Sequence, residues 1–415
     1  MPPAPDPLAA SGLPQRVRDE LLSPDPAVID TEAKELRDGL NLCPKCGSTE
    51  VQQRAGTDRL VCLYCRHEWA LARVEEAFGL GEGIADLRGT QIASGARDID
   101  ANASSLRSYG CGGCGAEVVI NTETALTARC HWCRHVLGVN EQIDNGAVPD
   151  AVLPFSVRKH DAVARIRQFV DKRRLFALQA FKDGFTPDNV VGVYLPYMVV
   201  DARGVADAEG VGEIQTRRYT RGEGKDKKTF YDADVWHVRR QVDFTVDDLT
   251  LESNARRGNL DTRTNTHNII NTILPFDTKN AVKWNASYLV GYTSERRDRD
   301  VRHLLPRLHE QMLSMARAQM QPSVARYGRG VRWERERIDV KGTRWVAMYL
   351  PVWLYAHHQS GSDGRPGTGL THYIAVNGRT GETMGSVPVQ QWKLVLAALA
   401  IGTVVEALAL WIIAS

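Results

Sequence analysis

Eight cysteines carry most of the chemistry legible in this chain of 415 residues. They fall into two sets, Cys43, Cys46, Cys62, Cys65 and Cys111, Cys114, Cys130, Cys133, and each set reads C-x2-C, fifteen residues, C-x2-C. A C-x2-C pair is a tight knuckle that turns two thiolates toward one point. The fifteen residues between suffice for a short hairpin that brings the second knuckle opposite the first. Four thiolates close a tetrahedral Zn2+ site at about 2.3 Å with no open position, so the spacing predicts two structural zinc ions. Gly47 and Gly115 follow the first knuckles, where a left-handed turn calls for glycine. The second knuckles repeat as Cys65-Arg66-His67 and Cys133-Arg134-His135, an internal duplication offset by 68 residues.

Other uses of such cysteines fit less well. A disulfide framework needs an oxidising compartment. An iron–sulfur cluster also takes four cysteines. A redox C-x2-C pair follows a strand in a βαβ unit, a context not apparent here. His67, His131 and His135 lie beside sites that four thiolates already fill, so they are expected as surface or packing residues. From Cys43 to Trp69 there are four Lys/Arg against three acids, and from Cys111 to Leu137 two of each. Binding nucleic acid by phosphate neutralisation needs several spare cations, which these modules lack. Tyr64, Trp69 and Trp132 can stack on bases, yet a small ribbon needs such rings to cover its own knuckles. The ribbons read as protein-contact modules.

Around them the composition is that of a globular protein, 43% hydrophobic and 25% charged, with 52 Lys+Arg against 50 Asp+Glu. That balance excludes wholesale disorder and a polybasic nucleic-acid coat. No phosphate-binding loop, nucleophile elbow or metalloprotease helix is present. Two other groupings invite a catalytic reading: His357 and His358, and Asp243, Asp247 and Asp248. Adjacent strand residues point to opposite faces, so no catalytic or organic-cofactor site is expected and the chain reads as a non-enzyme.

The expected organisation is a Pro/Ala-rich N-terminus over 1–40 with a short helix near Gln15–Leu22, a first ribbon over 41–70 and a linker over 71–108. A second ribbon covers 109–140, an α+β domain spans 150–390, and a hydrophobic helix closes the chain over 392–415. The α+β domain reads as two similar halves, about 150–270 and 271–390. Leu153-Pro154-Phe155 precedes a helical face of Val163, Ile166 and Val170, with Ser156 as its N-cap, and then a strand with Tyr194-Leu195-Pro196. The theme returns as Leu274-Pro275-Phe276, a helix with Val301, Leu304, Leu308, Met312 and Met315 on one side that starts or kinks at Pro306, and a strand with Tyr349-Leu350-Pro351. Thr371–Val376 is expected to pair with Glu382–Val387 across an Asn-Gly turn.

The segment Leu394–Ala414 holds 21 residues with one charge, Glu406, and about 20 apolar residues span a bilayer as a helix. Trp392, Lys393 and Trp411 stand where interfacial anchors are expected, and Ala398 and Gly402 give one small-xxx-small spacing. The N-terminus lacks the apolar region of a secretory signal. The expectation is therefore a single C-terminal transmembrane tail anchor in the cell membrane, with the bulk of the chain cytoplasmic. The basic stretch Arg217, Arg218, Arg221, Lys225, Lys227 and Lys228 is then a candidate lipid contact, or else a solvated hairpin tip.

Taken together, Leu42-Cys43-Pro44-Lys45-Cys46-Gly47, Cys130-His131-Trp132-Cys133-Arg134-His135, Gly192-Val193-Tyr194-Leu195-Pro196-Tyr197 and Val376-Asn377-Gly378-Arg379-Thr380-Gly381-Glu382 make residues 40–415 resemble the bacterial TFIIB-type zinc-ribbon membrane proteins, often mislabelled as primosomal helicases. The resemblance implies a non-enzymatic adaptor with zinc on all eight cysteines. Its implied partners are a phage-shock-protein-A-like coat protein and an SPFH protein, met at the membrane in envelope stress. A nucleic-acid-binding regulator held at the membrane is the competing expectation.

Overall fold

The computed structural model of the chain describes residues 27–29, 43–48, 50–93, 106–110, 117–121, 142–143, 149–173, 175–222, 227–254, 273–295, 297, 299–360 and 369–414. Its strands, in chain order, begin with β1 (Ala27–Ile29), β2 (Val51–Gln53), β3 (Leu60–Cys62), β4 (Glu68–Trp69), β5 (Gly89–Ala93), β6 (Leu106–Gly110), β7 (Glu117–Asn121), β8 (Gln142–Ile143) and β9 (Ala151–Val152). They continue with β10 (Val190–Arg221), β11 (Lys228–Glu252), β12 (Val282–Lys283), β13 (Thr293–Glu295), β14 (Val331–Ser360), β15 (Gly369–Asn377) and β16 (Thr383–Gly385). The helices are α1 (Val74–Phe78), α2 (Lys159–Asp171), α3 (Gln179–Asp183), α4 (Val301–Met320) and α5 (Gln391–Ala414).

Three of these strands dominate. β10, β11 and β14 run 32, 25 and 30 residues, and β10 pairs antiparallel with both of the others. They are the spine of a 13-stranded sheet; β2, β3 and β4 form a separate three-stranded one. The residue pattern along β10 says why the spine changes character with distance. From Val190 to Ala202 it is almost continuously apolar and buried, as a strand covered on both faces must be. Val193, Leu195, Tyr197 and Val199 face a core shared with Val74 and Phe78 of α1 and with Phe276. On the other face, Tyr194 packs with α2 and the first ribbon, while Met198, Val200 and Ala202 pack with α4. From Arg203 to Gly212 burial alternates strictly, the signature of a sheet with one wet face, and the small residues Ala202, Gly204, Ala206 and Ala208 leave room for α4. Beyond Gly212, β14 no longer pairs with β10, and only the β10–β11 hairpin continues.

The two Tyr-Leu-Pro motifs do not belong to separate α+β halves. They pair with each other at the centre of one sheet: Tyr194 opposite Pro351, Leu195 opposite Leu350, Pro196 opposite Tyr349. Proline is tolerated there because each stands where its strand changes outer neighbour. β13 pairs at Val193 and Tyr194 and β11 from Tyr197, so the missing N–H of Pro196 falls in the gap. Likewise β9 pairs at Met348 and Tyr349 and β15 from Val352, around Pro351. The expected α+β domain is corrected to a predominantly β body with few helices, because those long strands absorb most of its described residues.

Smaller expectations also change. Ser156 does not cap α2; Arg158 holds that position, and Ser156 Oγ donates to Arg379 O at 2.8 Å. α4 starts at Val301 under Asp300, and Pro306 lies inside it. Met312 is buried against the sheet. β15 and β16 form the expected hairpin, with Ile374 opposite Gly385.

The transmembrane tail anchor is not supported. Among the described residues no helix is long and apolar enough to cross a membrane. α5 is helical from Gln391 to Ala414 and carries Lys393 near its start and Glu406 within it. Leu394, Val395, Leu396, Leu399, Ile401 and Val405 are exposed on it. The cell-membrane localisation and the lipid partner inferred from that anchor lose their footing with it.

Candidate metal centre

The first cysteine set converges. Cys43 Sγ lies 3.6 Å from Cys65 Sγ and Cys46 Sγ 3.7 Å from Cys62 Sγ, and all four sulfurs lie within 4.8 Å of one another. Zinc–sulfur bonds of ~2.3 Å in a tetrahedron put neighbouring sulfurs about 3.8 Å apart, so these four thiols can hold one metal ion with little rearrangement.

Local backbone chemistry makes both knuckles. In the first, Gly47 N donates to Cys43 O and Cys43 N to Ser48 O, each at 2.8 Å. In the second, Arg66 N donates to Cys62 O at 3.0 Å and Cys62 N to His67 O at 2.9 Å. The residue after each second cysteine has a left-handed backbone, φ 72° at Gly47 and 59° at Arg66. The antiparallel strands β2, β3 and β4 set the two knuckles face to face. The Cys65 backbone N–H directed at Cys62 Sγ, 3.5 Å away, pulls the Cys62 thiol down to about 6, with the Tyr64 N–H assisting. At Cys46 the Ser48 N–H favours the thiolate, but local desolvation of the sulfur and its contacts with the three neighbouring sulfurs outweigh it and push the thiol up to about 12. Four sulfurs this close resist joint ionisation, and a cation at their centre removes that resistance.

The site has a buried side and an exposed side. Cys43 and Cys62 are buried, and with Val51 and Leu60 they join the core formed by Val152, Phe155 and Tyr288 of the body. Tyr288 OH donates to Asp58 O at 2.7 Å, and Gln53 Nε2 donates to Phe155 O at 2.8 Å. The ribbon is therefore seated on the sheet. Outward, Pro44, Lys45, Cys46, Leu63 and Arg66 are exposed, and Tyr64 is 80% exposed. His67 stacks on Trp69 with centroids 5.7 Å apart, a packing role. Cys111, Cys114, Cys130 and Cys133, with His131 and His135, lie outside the described residues. The strands on either side of Cys111 and Cys114 are described: β6 and β7 pair antiparallel, and β7 joins the main sheet at β13.

The acidic and histidine groupings come apart differently than their sequence positions suggest. Asp243 pairs with Arg203 at 2.8 Å. Asp247 and Asp248 instead converge with Asp201, which sequence reading missed. Its signal was a carboxylate inside an unbroken apolar run, where unpaired charge is rare. Asp201 is fully buried, and it accepts from Gly81 N at 2.8 Å and Asp248 N at 3.1 Å, with Arg344 Nη1 3.9 Å away. Thr278 Oγ1 donates to Asp248 at 2.5 Å. These bonds fasten the 79–82 turn to the sheet. His357 lies edge-on to Phe181 and opposite His372. Burial, then the neighbouring His357, holds His372 down at about 4.

No family model matches this chain, and no solved structure matches it. It is similar to the uncharacterized protein YdjG of Bacillus subtilis (strain 168), 22% identical over 255 residues, which is 61% of this chain and 68% of that protein.

Proposed function

We propose that the chain is a non-enzymatic zinc-ribbon adaptor, in which Cys43, Cys46, Cys62 and Cys65 hold one structural Zn2+ and Cys111, Cys114, Cys130 and Cys133 a second. The observation that carries this reading is the shape of the first site. Its four thiols leave no open position for a substrate, and its outward face presents Leu63 and Tyr64 on a ribbon fixed to the body by a shared core. Exposed side chains on a backbone fixed by a metal knuckle meet a partner protein with little backbone ordering cost. Zinc supplies no reaction here; it fixes the two knuckles, while the Tyr64 ring and the Leu63 side chain offer the contact. The phage-shock-protein-A-like and SPFH proteins implied by the resemblance are the first partners to test.

The test compares tagged full-length protein with a Tyr64→Ala, Leu63→Ser variant by affinity purification and quantitative mass spectrometry. The variant leaves the four ligands and the core in place. A partner enriched at least tenfold by the parent and lost from the variant supports the reading. Identical recovery from both, with zinc content unchanged, contradicts it.

A further inference from the structure

The β10–β11 hairpin outruns the rest of the sheet. β14 last pairs at Gly212 opposite Val331, and the two remaining strands continue to Arg221 and Lys228. Nine residues, Glu213 to Arg221, extend about 30 Å at 3.3 Å each. A register shift between Gln215 and Arg217 marks off the outermost five pairs, and such a bulge twists and re-aims the strand beyond it.

Opposed residues of an antiparallel pair share a face, as do alternate residues of one strand. One face of the tip therefore carries Arg217 opposite Asp232, then Tyr219 opposite Phe230, then Arg221 opposite Lys228. The two rings stack, with centroids 6.0 Å apart and planes at 21°. The Arg217 and Arg221 guanidinium groups lie 5.6 and 5.3 Å from the Tyr219 ring centre. Phe230 stays 43% exposed despite that stack, a costly placement for an apolar ring. Further down the spine several arginines are paired, Arg203 with Asp243 and both Arg239 and Arg335 with Glu209, while Arg317 of α4 pairs with Glu336 of β14; Arg240 and Arg337 form no ion pair among the described residues. At the tip, Arg217, Arg221 and Lys228 form no ion pair among the described residues. Three cations against one acid, Asp232, flank a partly exposed stacked pair on one face of a protruding ribbon, and that excess of positive charge suits a ligand with negative charges on both sides of a flat ring. A single-stranded nucleic acid is that ligand: phosphates engage the guanidinium forks, and an unpaired base extends the ring stack. An acidic protein segment offers charge but no ring at that spacing, and an anionic bilayer would leave the in-plane stack unused.

We propose that this β-ribbon tip binds single-stranded nucleic acid through Arg217, Arg221, Lys228, Tyr219 and Phe230. The site is separate from the zinc knuckles and does not rest on the adaptor reading.

Fluorescence anisotropy of the full chain with a labelled single-stranded DNA of about 16 nucleotides, titrated at several salt concentrations, tests it. Three phosphate contacts give a slope of about −2 for log affinity against log salt. Arg217→Ala, Arg221→Ala and Lys228→Ala should each reduce that slope by about 0.7. Phe230→Ala should weaken binding at least fivefold, about 1 kcal/mol, with the slope kept. These positions are surface ones, so zinc content and melting temperature should match the parent. Absence of binding at low salt overturns the proposal, and so does binding whose slope ignores all three cation variants. Binding to polyglutamate or phosphatidylserine vesicles without binding to the oligonucleotide overturns it as well, and assigns the face to an acidic protein or to a membrane.

Discussion

Arg66 occupies, in the second knuckle, the place that Gly47 holds in the first, and both adopt a left-handed backbone. A side chain in that region costs about 1–2 kcal/mol, a cost that glycine escapes. Arg66→Gly should therefore raise the stability of the ribbon by roughly 1 kcal/mol, read as a higher chelator concentration at half-release of metal. An unchanged or lower midpoint would show that the Arg66 side chain contributes more than its backbone costs. The other residue-scale strain is at Asp248. Burial first, then the charges of Asp247, Asp201 and Glu75, raise its carboxyl to about 6 despite the Thr278 hydrogen bond, and Asp201 is raised by burial as well. A carboxyl raised in the folded state binds its proton more tightly there than in the unfolded chain. Stability is thus lost as pH rises from about 4 to about 6, and the deficit persists above. Asp248→Asn keeps the left-handed conformation accessible and an acceptor for Thr278, so it should raise the melting temperature at pH 7 and leave it nearly unchanged at pH 4. Equal shifts at both values would rule out a charge origin.

Along each element, legibility followed how far the local pattern decides the outcome. The two knuckles were readable because four cysteines at fixed spacing admit few geometries. The hairpin of β15 and β16 was readable from Asn377-Gly378, whose Asn377 Oδ1 accepts from Arg379 N and Thr380 N at 2.9 and 3.0 Å. The Tyr-Leu-Pro strands were visible, yet their mutual pairing was not, because 155 residues separate Leu195 from Leu350 and register across such a distance leaves no local trace. Strand length was missed for a related reason: apolar, alternating and polar stretches of β10 look like three elements, whereas they are one strand passing through three environments. At α4 the end signal decided the start. Asp300 accepts from His303 N at 3.1 Å and caps the helix ahead of Pro306. Asp300→Ala should cost about 1 kcal/mol and lower the thermal midpoint by a few degrees; no shift would mean that packing of Leu304, Leu308 and Met312 alone sets the boundary. The terminal apolar stretch shows the opposite lesson. Its hydropathy suggested a span; the run does form a helix, but among the described residues no helix is long and apolar enough to cross a membrane.

For the whole molecule, the four-cysteine ribbon and the long-stranded body form one mechanical unit, since Cys43, Val51, Leu60 and Cys62 share a core with Phe155 and Tyr288. A metal on the four thiols, as proposed, would organise a face that the sheet holds in place, and its removal should loosen that face before the sheet itself. The measurement closest to this claim is zinc content per chain, by elemental analysis of the purified full-length protein and of a Cys43→Ser, Cys62→Ser variant. The account predicts two zinc ions in the parent and one in the variant, with X-ray absorption of the parent showing only sulfur ligands at about 2.3 Å. Equal zinc content in parent and variant, or oxygen and nitrogen ligands in the parent's first shell, would contradict it.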